Sequence, residues 1–428
     1  MGVPARGLIG VLHQVDPRAR LVSEVRVANC EWRIIVSLVL ALGLLPVLSA
    51  VAANGITVVE SKASHSFAQQ VTFTLRATSD AEITRVYLFF RATGDERAEP
   101  VNLTIEPARE ISAHHVHDLR RFPLPPFAII TFWWQIEDAA GNRLTTEPQQ
   151  FEYTDNRFRW EQLSDNGLTV HWIEEHGDPA FGQTALDIAR TSLEEINTEL
   201  RAPVPESIAI YIYDAQYNLD TAMVLTGREW VSGQARPELG AVVVAIPFEE
   251  GYTSHMMRYI PHEITHLLVY QTVTPAGYRY VPEWLDEGLA TANERLPTPE
   301  YAMALEEARV AGQLLSLESL CVPFSPDSHT AFLAYAQSAS VVQFIRERHG
   351  AEGIRGLLAA YANGASCTGG VQEALDISIS GLETIWRASL EPQAPWRVWV
   401  EQTGIWVGLW LLSLLVAVPM IGGLRRRR

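Results

Sequence analysis

The spacing of apolar and polar residues divides the chain into two parts. From residue 55 to about residue 153, apolar and polar positions alternate in short runs such as "QQVTFTLRATS" and "EITRVYLFFRAT", and turn residues separate the runs. Residues 140–142 are predicted to form the turn of a hairpin. This pattern is typical of short antiparallel strands, so we predict an all-β sandwich of immunoglobulin or fibronectin III type over residues 54–154.

A different pattern begins near residue 155. Three apolar runs, "GLTVHWIEE", "ESIAIYIYD" and "LGAVVVAIP", are predicted strands, and the segment "PAFGQTALDIARTSLEEINTEL" between the first two has helical spacing. Residues 254–390 are predicted to be chiefly helical. Strands followed by helices indicate an α+β domain, which we place at residues 155–392.

Uncharged apolar segments lie near both ends of the chain. The first, residues 34–59, follows an arginine-bearing stretch, so residues 1–53 are predicted to be a signal peptide or an uncleaved signal anchor. The second, residues 404–424, is long enough for a transmembrane helix; it follows a tryptophan-bearing juxtamembrane stretch at 393–403, and four arginines at 425–428 mark its cytoplasmic side. We therefore expect a single-pass protein of the cell membrane with residues 54–392 outside the cytoplasm.

Charge and cysteine content narrow the possible partners. The chain has 33 basic and 50 acidic side chains and a net charge of −17, which does not favour nucleic-acid binding. Cys30 lies in the targeting region, so Cys321 and Cys367 are the only thiols of the predicted exported part. An oxidising compartment would allow these two to form a disulfide; the alternative is two unrelated buried thiols.

Two histidine-containing segments are candidates for metal binding. In "PHEITH", His262 and His266 are four residues apart and would lie on one face of a helix, where their imidazoles could share a zinc ion. The alternative is a helix that carries two ordinary surface histidines. Pro261 predicts either a helix start within one turn or a kink in a longer helix. The second segment, "SAHHVHDLRR", is interpreted as a solvated loop rather than a metal site, although it contains His114, His115 and His117.

A catalytic zinc ion needs a third protein ligand. The segment "VPEWLDEGLATANE" offers three carboxylates, Glu283, Asp286 and Glu287. Asp286 and Glu283 could orient the histidines, but solvated carboxylates at a helix end are the interpretation that we favour for these two.

The two motifs "HEITH" and "WLDEGLA" together resemble those of the gluzincin metallopeptidases, and the region is similar to the peptidase MA-like domains of bacterial membrane-anchored proteins. The resemblance implies a zincin-like fold for residues 155–392. It implies that His262, His266 and Glu287 bind Zn²⁺ and that Glu263 is the general base. "YAQSAS" is similar to the gluzincin segment Y-x-x-G-A-x-V, whose tyrosine stabilises the reaction intermediate, and Tyr335 is the matching residue. Ser338 replaces the glycine of the aminopeptidase branch.

The implied activity is that of a zinc metallopeptidase that cleaves a peptide or protein through a zinc-activated water. The strand "GAVVVAIP" is the expected edge for an extended substrate. It lacks the Glu and Asn of the aminopeptidase motif G-A-M-E-N, which does not favour an aminopeptidase. Two other functions stay open: a non-catalytic surface protein that binds or senses through the β-sandwich, and a zinc hydrolase of a non-peptide amide.

Overall fold

A computed structural model describes residues 55–391, except 96, 175–177, 224–232, 297 and 326, together with residue 406. The predicted signal segment (1–53) and arginine tail (425–428) lie outside the described residues. So do the juxtamembrane stretch and, apart from residue 406, the predicted transmembrane helix. Within the described part of the chain, no helix is both long enough and apolar enough to cross a membrane.

The N-terminal part of the described chain is rich in β-structure, as predicted. Its strands are β1 (Ile56–Ser66), β2 (Gln70–Ala92), β3 (Glu99–Leu103), β4 (Ala108–Asp118), β5 (Ile129–Asp138), β6 (Arg143–Thr145) and β7 (Gln149–Glu152). Strand β2 pairs with β1, β3, β4 and β5, and β5 also pairs with β6 and β7. All of these pairs are antiparallel.

The two segments predicted as separate strands are one 23-residue strand, β2. Its first half pairs with β1 and β4, and its second half pairs with β3 and β5, with register shifts between residues 78 and 85. The ring of Phe73 in the first half lies 5.0 Å from that of Phe90 in the second half. Strand β2 therefore contributes to two facing layers. The polar residues after Thr78 do not end the strand, because the hydroxyl of Ser79 donates to the buried carboxylate of Asp138 at 2.7 Å.

The prediction of a solvated loop around the three histidines is wrong. His114, His115 and His117 lie on strand β4, which pairs with the first half of β2. His115 and His117 share the partly buried face of the strand, and the ring of His117 lies 4.9 Å from that of Phe90. The neighbouring strand provides the pairing that the isolated sequence could not indicate.

The second part of the described chain combines a mixed sheet with helices, which agrees with the predicted α+β class. The sheet has the strand order β11–β12–β10–β9–β8, in which β9, β10 and β12 are parallel and both outer strands are antiparallel to their neighbours. The strands are β8 (Trp160–Asp165), β9 (Leu168–Ile173), β10 (Ile208–Tyr213), β11 (Gly233–Arg236) and β12 (Ala241–Ala245).

The helices pack mainly against one face of this sheet and against one another. They are α1 (Pro179–Leu200), α2 (Gln216–Met223), α3 (Tyr252–Tyr278), α4 (Glu283–Ala292), α5 (Pro299–Ala311), α6 (Ser328–Ala362), α7 (Cys367–Leu375) and α8 (Ile379–Ser389), with 3-10 turns at Pro237–Leu239 and Leu317–Cys321. Val170, Ile210 and Val242 face the core shared with α1 and α3.

The opposite face of the mixed sheet packs against the β-rich region. The rings of Phe127 and Tyr211 lie 3.7 Å apart, and the hydroxyl of Tyr211 donates to Glu152 at 2.6 Å. The hydroxyl of Tyr213 donates to the buried carboxylate of Asp155 at 2.9 Å. The predicted boundary at residues 154/155 thus falls between two regions that share a hydrophobic core.

Candidate metal centre

Helix α3 presents His262 and His266 on one face. It continues through Pro261, so the helix does not start there. The non-helical residue within α3 is Thr274, so the break in the helix lies beyond Pro261 rather than at it. Proline has no N–H to donate to the carbonyl of Met257, and the backbone N–H of Arg295 donates to that carbonyl instead, at 2.8 Å. Pro261 therefore joins the histidine helix to the segment that follows α4.

Helix α4 brings Glu287 to the histidines. Its Oε2 atom lies 3.3 Å from Nε2 of His262 and 3.5 Å from Nε2 of His266. Gly288 allows this approach, because a Cβ atom there would lie 2.7 Å from the backbone oxygen of Ser338 on α6. The glycine after the predicted ligand is thus explained by helix packing.

The three side chains fit a divalent metal ion. One potential ligand atom from each of His262, His266 and Glu287 lies within 4.8 Å of the others. Oε2 of Glu287 is buried and accepts no hydrogen bond from the described residues. Two imidazole nitrogens and one carboxylate oxygen are the donor set of many catalytic zinc sites. The geometry brings together the predicted ligands.

The electrostatic interactions within the cluster agree with a cation-binding site. Burial acts to lower the pKa of His262, but the neighbouring carboxylates of Glu287 and Glu294 outweigh it and raise the pKa to about 9. Burial acts to raise the pKa of Glu287, but the adjacent imidazoles of His266 and His262 lower it overall. Positive charge is therefore stabilised between these groups.

A second carboxylate lies behind each histidine. Oδ1 of Asp286 is 3.1 Å from Nδ1 of His266, and Oε1 of Glu294 is 3.4 Å from Nδ1 of His262. The favoured interpretation of Asp286 as a solvated carboxylate is wrong. Glu294 was not predicted at all; it lies two residues beyond the end of α4, so no helical spacing relates it to Glu287. Such carboxylates orient metal-binding imidazoles and leave Nε2 for the ion.

Glu263 lies beside the same cluster, against strand β11. Its side chain is buried, and the backbone N–H of Ala235 donates to its carboxylate. Burial is the main cause that raises its pKa, with a smaller contribution from the charge of Glu287. Strand β11 is the outer strand here, so the expectation that "GAVVVAIP" forms the edge is wrong: that segment contains β12, which pairs with strands on both sides.

Tyr335 also lies near the candidate ligands. It is on α6, with its ring centroid 6.5 Å from that of His262 and 5.2 Å from that of Phe324. Burial, followed by the charges of Glu287 and Glu283, raises the pKa of its hydroxyl. The structure therefore brings Tyr335 to the neighbourhood that the resemblance implies.

A cleft of about 600 Å³ gives access to the cluster. The side chains of His262, Glu263, His266 and Glu287 line it together with strand β11 and with Cys321. Cys321 forms a disulfide with Cys367, with their Cα atoms 6.0 Å apart, which confirms the predicted pairing.

Comparisons with known proteins agree with this site. Residues 188–392 match the sequence profile of the Peptidase MA superfamily, which confirms the resemblance noted for this region. The match spans all the candidate ligands and supports a peptidase-type function. No curated protein matches the chain.

Several solved structures share limited similarity with the chain. An aminopeptidase N family protein from Idiomarina loihiensis is 9% identical, with a TM-score of 0.36, over 79% of this chain and 74% of that one. A β-1,3-glucan-binding domain of carbohydrate-binding module family 56 is 14% identical, with a TM-score of 0.16, over 22% and 96%. A polysaccharide deacetylase from Bacillus cereus is 8% identical, with a TM-score of 0.19, over 47% and 65%.

Proposed function

We propose that the protein is a zinc metallopeptidase that hydrolyses peptide bonds. The observation that carries the proposal is the convergence of His262, His266 and Glu287 in a cleft that also contains Glu263. His262, His266 and Glu287 would hold the ion, and Asp286 and Glu294 would orient the two imidazoles.

A bound Zn²⁺ ion would supply Lewis-acid activation of a water molecule and of the substrate carbonyl. Glu263 follows the ligand His262 directly and lines the cleft, so its carboxylate can accept a proton there and return it to the leaving amine. Tyr335 would donate a hydrogen bond to the developing oxyanion. A contact of this type is worth about 3 kcal/mol in comparable sites.

Strand β11 is the proposed docking edge for an extended substrate. Among the described residues it is the last strand on its side of the mixed sheet, and its residues line the cleft beside Glu263. A peptide could add to this edge as a further strand, through hydrogen bonds between the two backbones. Such binding depends on the main chain of the peptide rather than on particular side chains.

We also propose that this domain lies outside the cytoplasm and is attached to the cell membrane through residues 404–424. The disulfide between Cys321 and Cys367 supports an oxidising compartment. Removal of residues 404–428 should release the protein from membranes, as measured by fractionation.

The first test of the function is Glu263→Gln in the purified full-length chain. The variant should bind zinc like the parent, because Glu263 is not a ligand, but it should lose peptide cleavage by a factor of at least about 100. Glu161→Gln, on the exposed side of β8, is the matched control. Equal cleavage by Glu263→Gln and the parent would refute the mechanism. Zinc binding by a parent that cleaves no member of a broad peptide library would favour a non-catalytic binding protein instead.

A further inference from the structure

Helix α3 contains a strained break between His266 and its C-terminal end. Thr274 has φ 66° and ψ 160°, and Pro275 follows it. A β-branched residue rarely adopts positive φ, because its side chain crowds the backbone. Strain of this kind persists where contacts elsewhere stabilise it, and it is often found at functional sites.

The residues after the break make the contacts that stabilise it. Gly277 packs directly on α6, since a Cβ atom there would lie 2.8 Å from the Cα atom of Ala362. One residue later, the hydroxyl of Tyr278 donates to Oδ2 of Asp286 at 2.6 Å. The break therefore directs the end of α3 back towards the start of α4.

Asp286 connects this contact to the candidate metal ligand. Oδ2 accepts from Tyr278, while Oδ1 lies 3.1 Å from Nδ1 of His266. Asp286 is largely enclosed, and Oδ1 makes no hydrogen bond of good geometry among the described residues. The orientation of the carboxylate consequently depends on the tyrosine hydroxyl.

We propose that Tyr278 is a positioning residue of the metal centre. Its hydroxyl fixes the Asp286 carboxylate so that Nδ1 of His266 faces Oδ1 and Nε2 faces the ion. The break at Thr274 provides the chain direction that this contact requires. The inference rests on the proposed zinc site and is independent of which substrate the protein cleaves.

The test is the zinc dissociation constant of the full-length chain, measured by competition with a chromophoric chelator. Tyr278→Phe keeps the ring but removes the hydroxyl, and it should weaken zinc binding by about 10-fold. Tyr270→Phe is the matched control, because that ring lies 5.3 Å from Tyr278 on the same helix. It should leave zinc affinity unchanged.

A double-mutant cycle separates positioning from a general structural effect. If Tyr278 acts through Asp286, then Tyr278→Phe should cause no further loss in an Asp286→Ala background. An unchanged dissociation constant in Tyr278→Phe, or a loss that persists fully in the Asp286→Ala background, would overturn the inference. A parent that binds no zinc would instead overturn the proposed function, and this inference with it.

Two backbone variants provide a second route to the same conclusion. Gly277→Ala should displace the end of α3 from α6 and weaken zinc binding, again without further effect in the Asp286→Ala background. Thr274→Gly accepts the positive φ without strain, so it should raise the melting temperature and keep zinc affinity. Zinc affinity equal to the parent's in a folded Gly277→Ala variant would count against the proposal even where Tyr278→Phe fails to fold.

Discussion

At the scale of single residues, the space around Glu263 is set by a glycine. A Cβ atom at Gly233 would lie 2.6 Å from Oε1 of Glu263 and 2.9 Å from a methyl group of Val244. Gly233→Ala should displace the carboxylate and lower kcat by about 10- to 100-fold, with zinc content unchanged.

The measurement for Gly233→Ala is steady-state kinetics together with metal analysis. Gly356→Ala is a suitable control, because a Cβ atom at Gly356 meets its nearest neighbour at an ordinary 3.5 Å. A Gly233→Ala variant with the parent's kcat would contradict the assigned position of Glu263.

How well single residues could be predicted depended on how local their geometry is. His262 and His266 are four apart on one helix, so their shared face follows from the helical repeat. The roles of Asp286 and Glu294 depend on where α4 crosses α3, which no local pattern specifies. For this reason the sequence pattern favours a solvated carboxylate at Asp286 and predicts no role for Glu294.

At the scale of elements, Pro261 is expected to fasten α3 to the segment after α4. In Pro261→Ala, the new N–H would compete with that of Arg295 for the carbonyl of Met257. The Arg295 amide should then exchange its hydrogen faster. Zinc affinity should fall by about 3- to 10-fold. Hydrogen exchange followed by mass spectrometry or NMR measures the first effect; an unchanged exchange rate at Arg295 would contradict this role.

Strand β4 should make the stability of the β-rich region sensitive to pH. Burial is the main cause that lowers the pKa of both His115 and His117; Asp118 and the carbonyl of Phe122 only partly oppose it at His117. Their folded-state pKa lies below the unfolded value near 6.5, so their contribution is fully present above about pH 6.5 and is lost as pH falls.

Thermal unfolding from about pH 7.5 to about pH 5 tests this expectation. The melting temperature of the parent should fall over this range, and a His115→Gln, His117→Gln double variant should lose less. His114→Gln, exposed on the same strand, should follow the parent. A double variant with the parent's full pH dependence would contradict the assignment.

The elements themselves were predictable where periodicity alone decides. The strands and the α+β order follow from alternation and helical spacing. The continuity of β2 and the place of β4 in the sheet do not, because partners distant in sequence supply the hydrogen bonds. The same reason applies to β11, a four-residue edge strand without a distinctive pattern of its own.

At the scale of the whole molecule, the β-rich region and the peptidase region are expected to unfold together. The described residues from 55 to 391 belong to one compact unit. Tyr211 and Tyr213 are almost fully buried where the two regions meet, and each buried side chain of this size contributes about 2 kcal/mol to stability. The sequence suggested two domains because the pattern of apolar and polar residues changes at residue 155. That pattern does not indicate which faces of the sheets are covered by other elements.

Phe127→Ala tests this coupling, because its ring packs on Tyr211 across the interface. The variant should lose about 3–5 kcal/mol of stability, and hydrogen exchange should show the same loss in β5 and in α4. Phe122→Ala removes an exposed ring of the same region and should leave both unchanged. If Phe127→Ala destabilises β5 but leaves the protection of α4 at the parent's level, the two regions are independent domains, and the β-rich region is only a neighbour of the metal centre rather than a support for it.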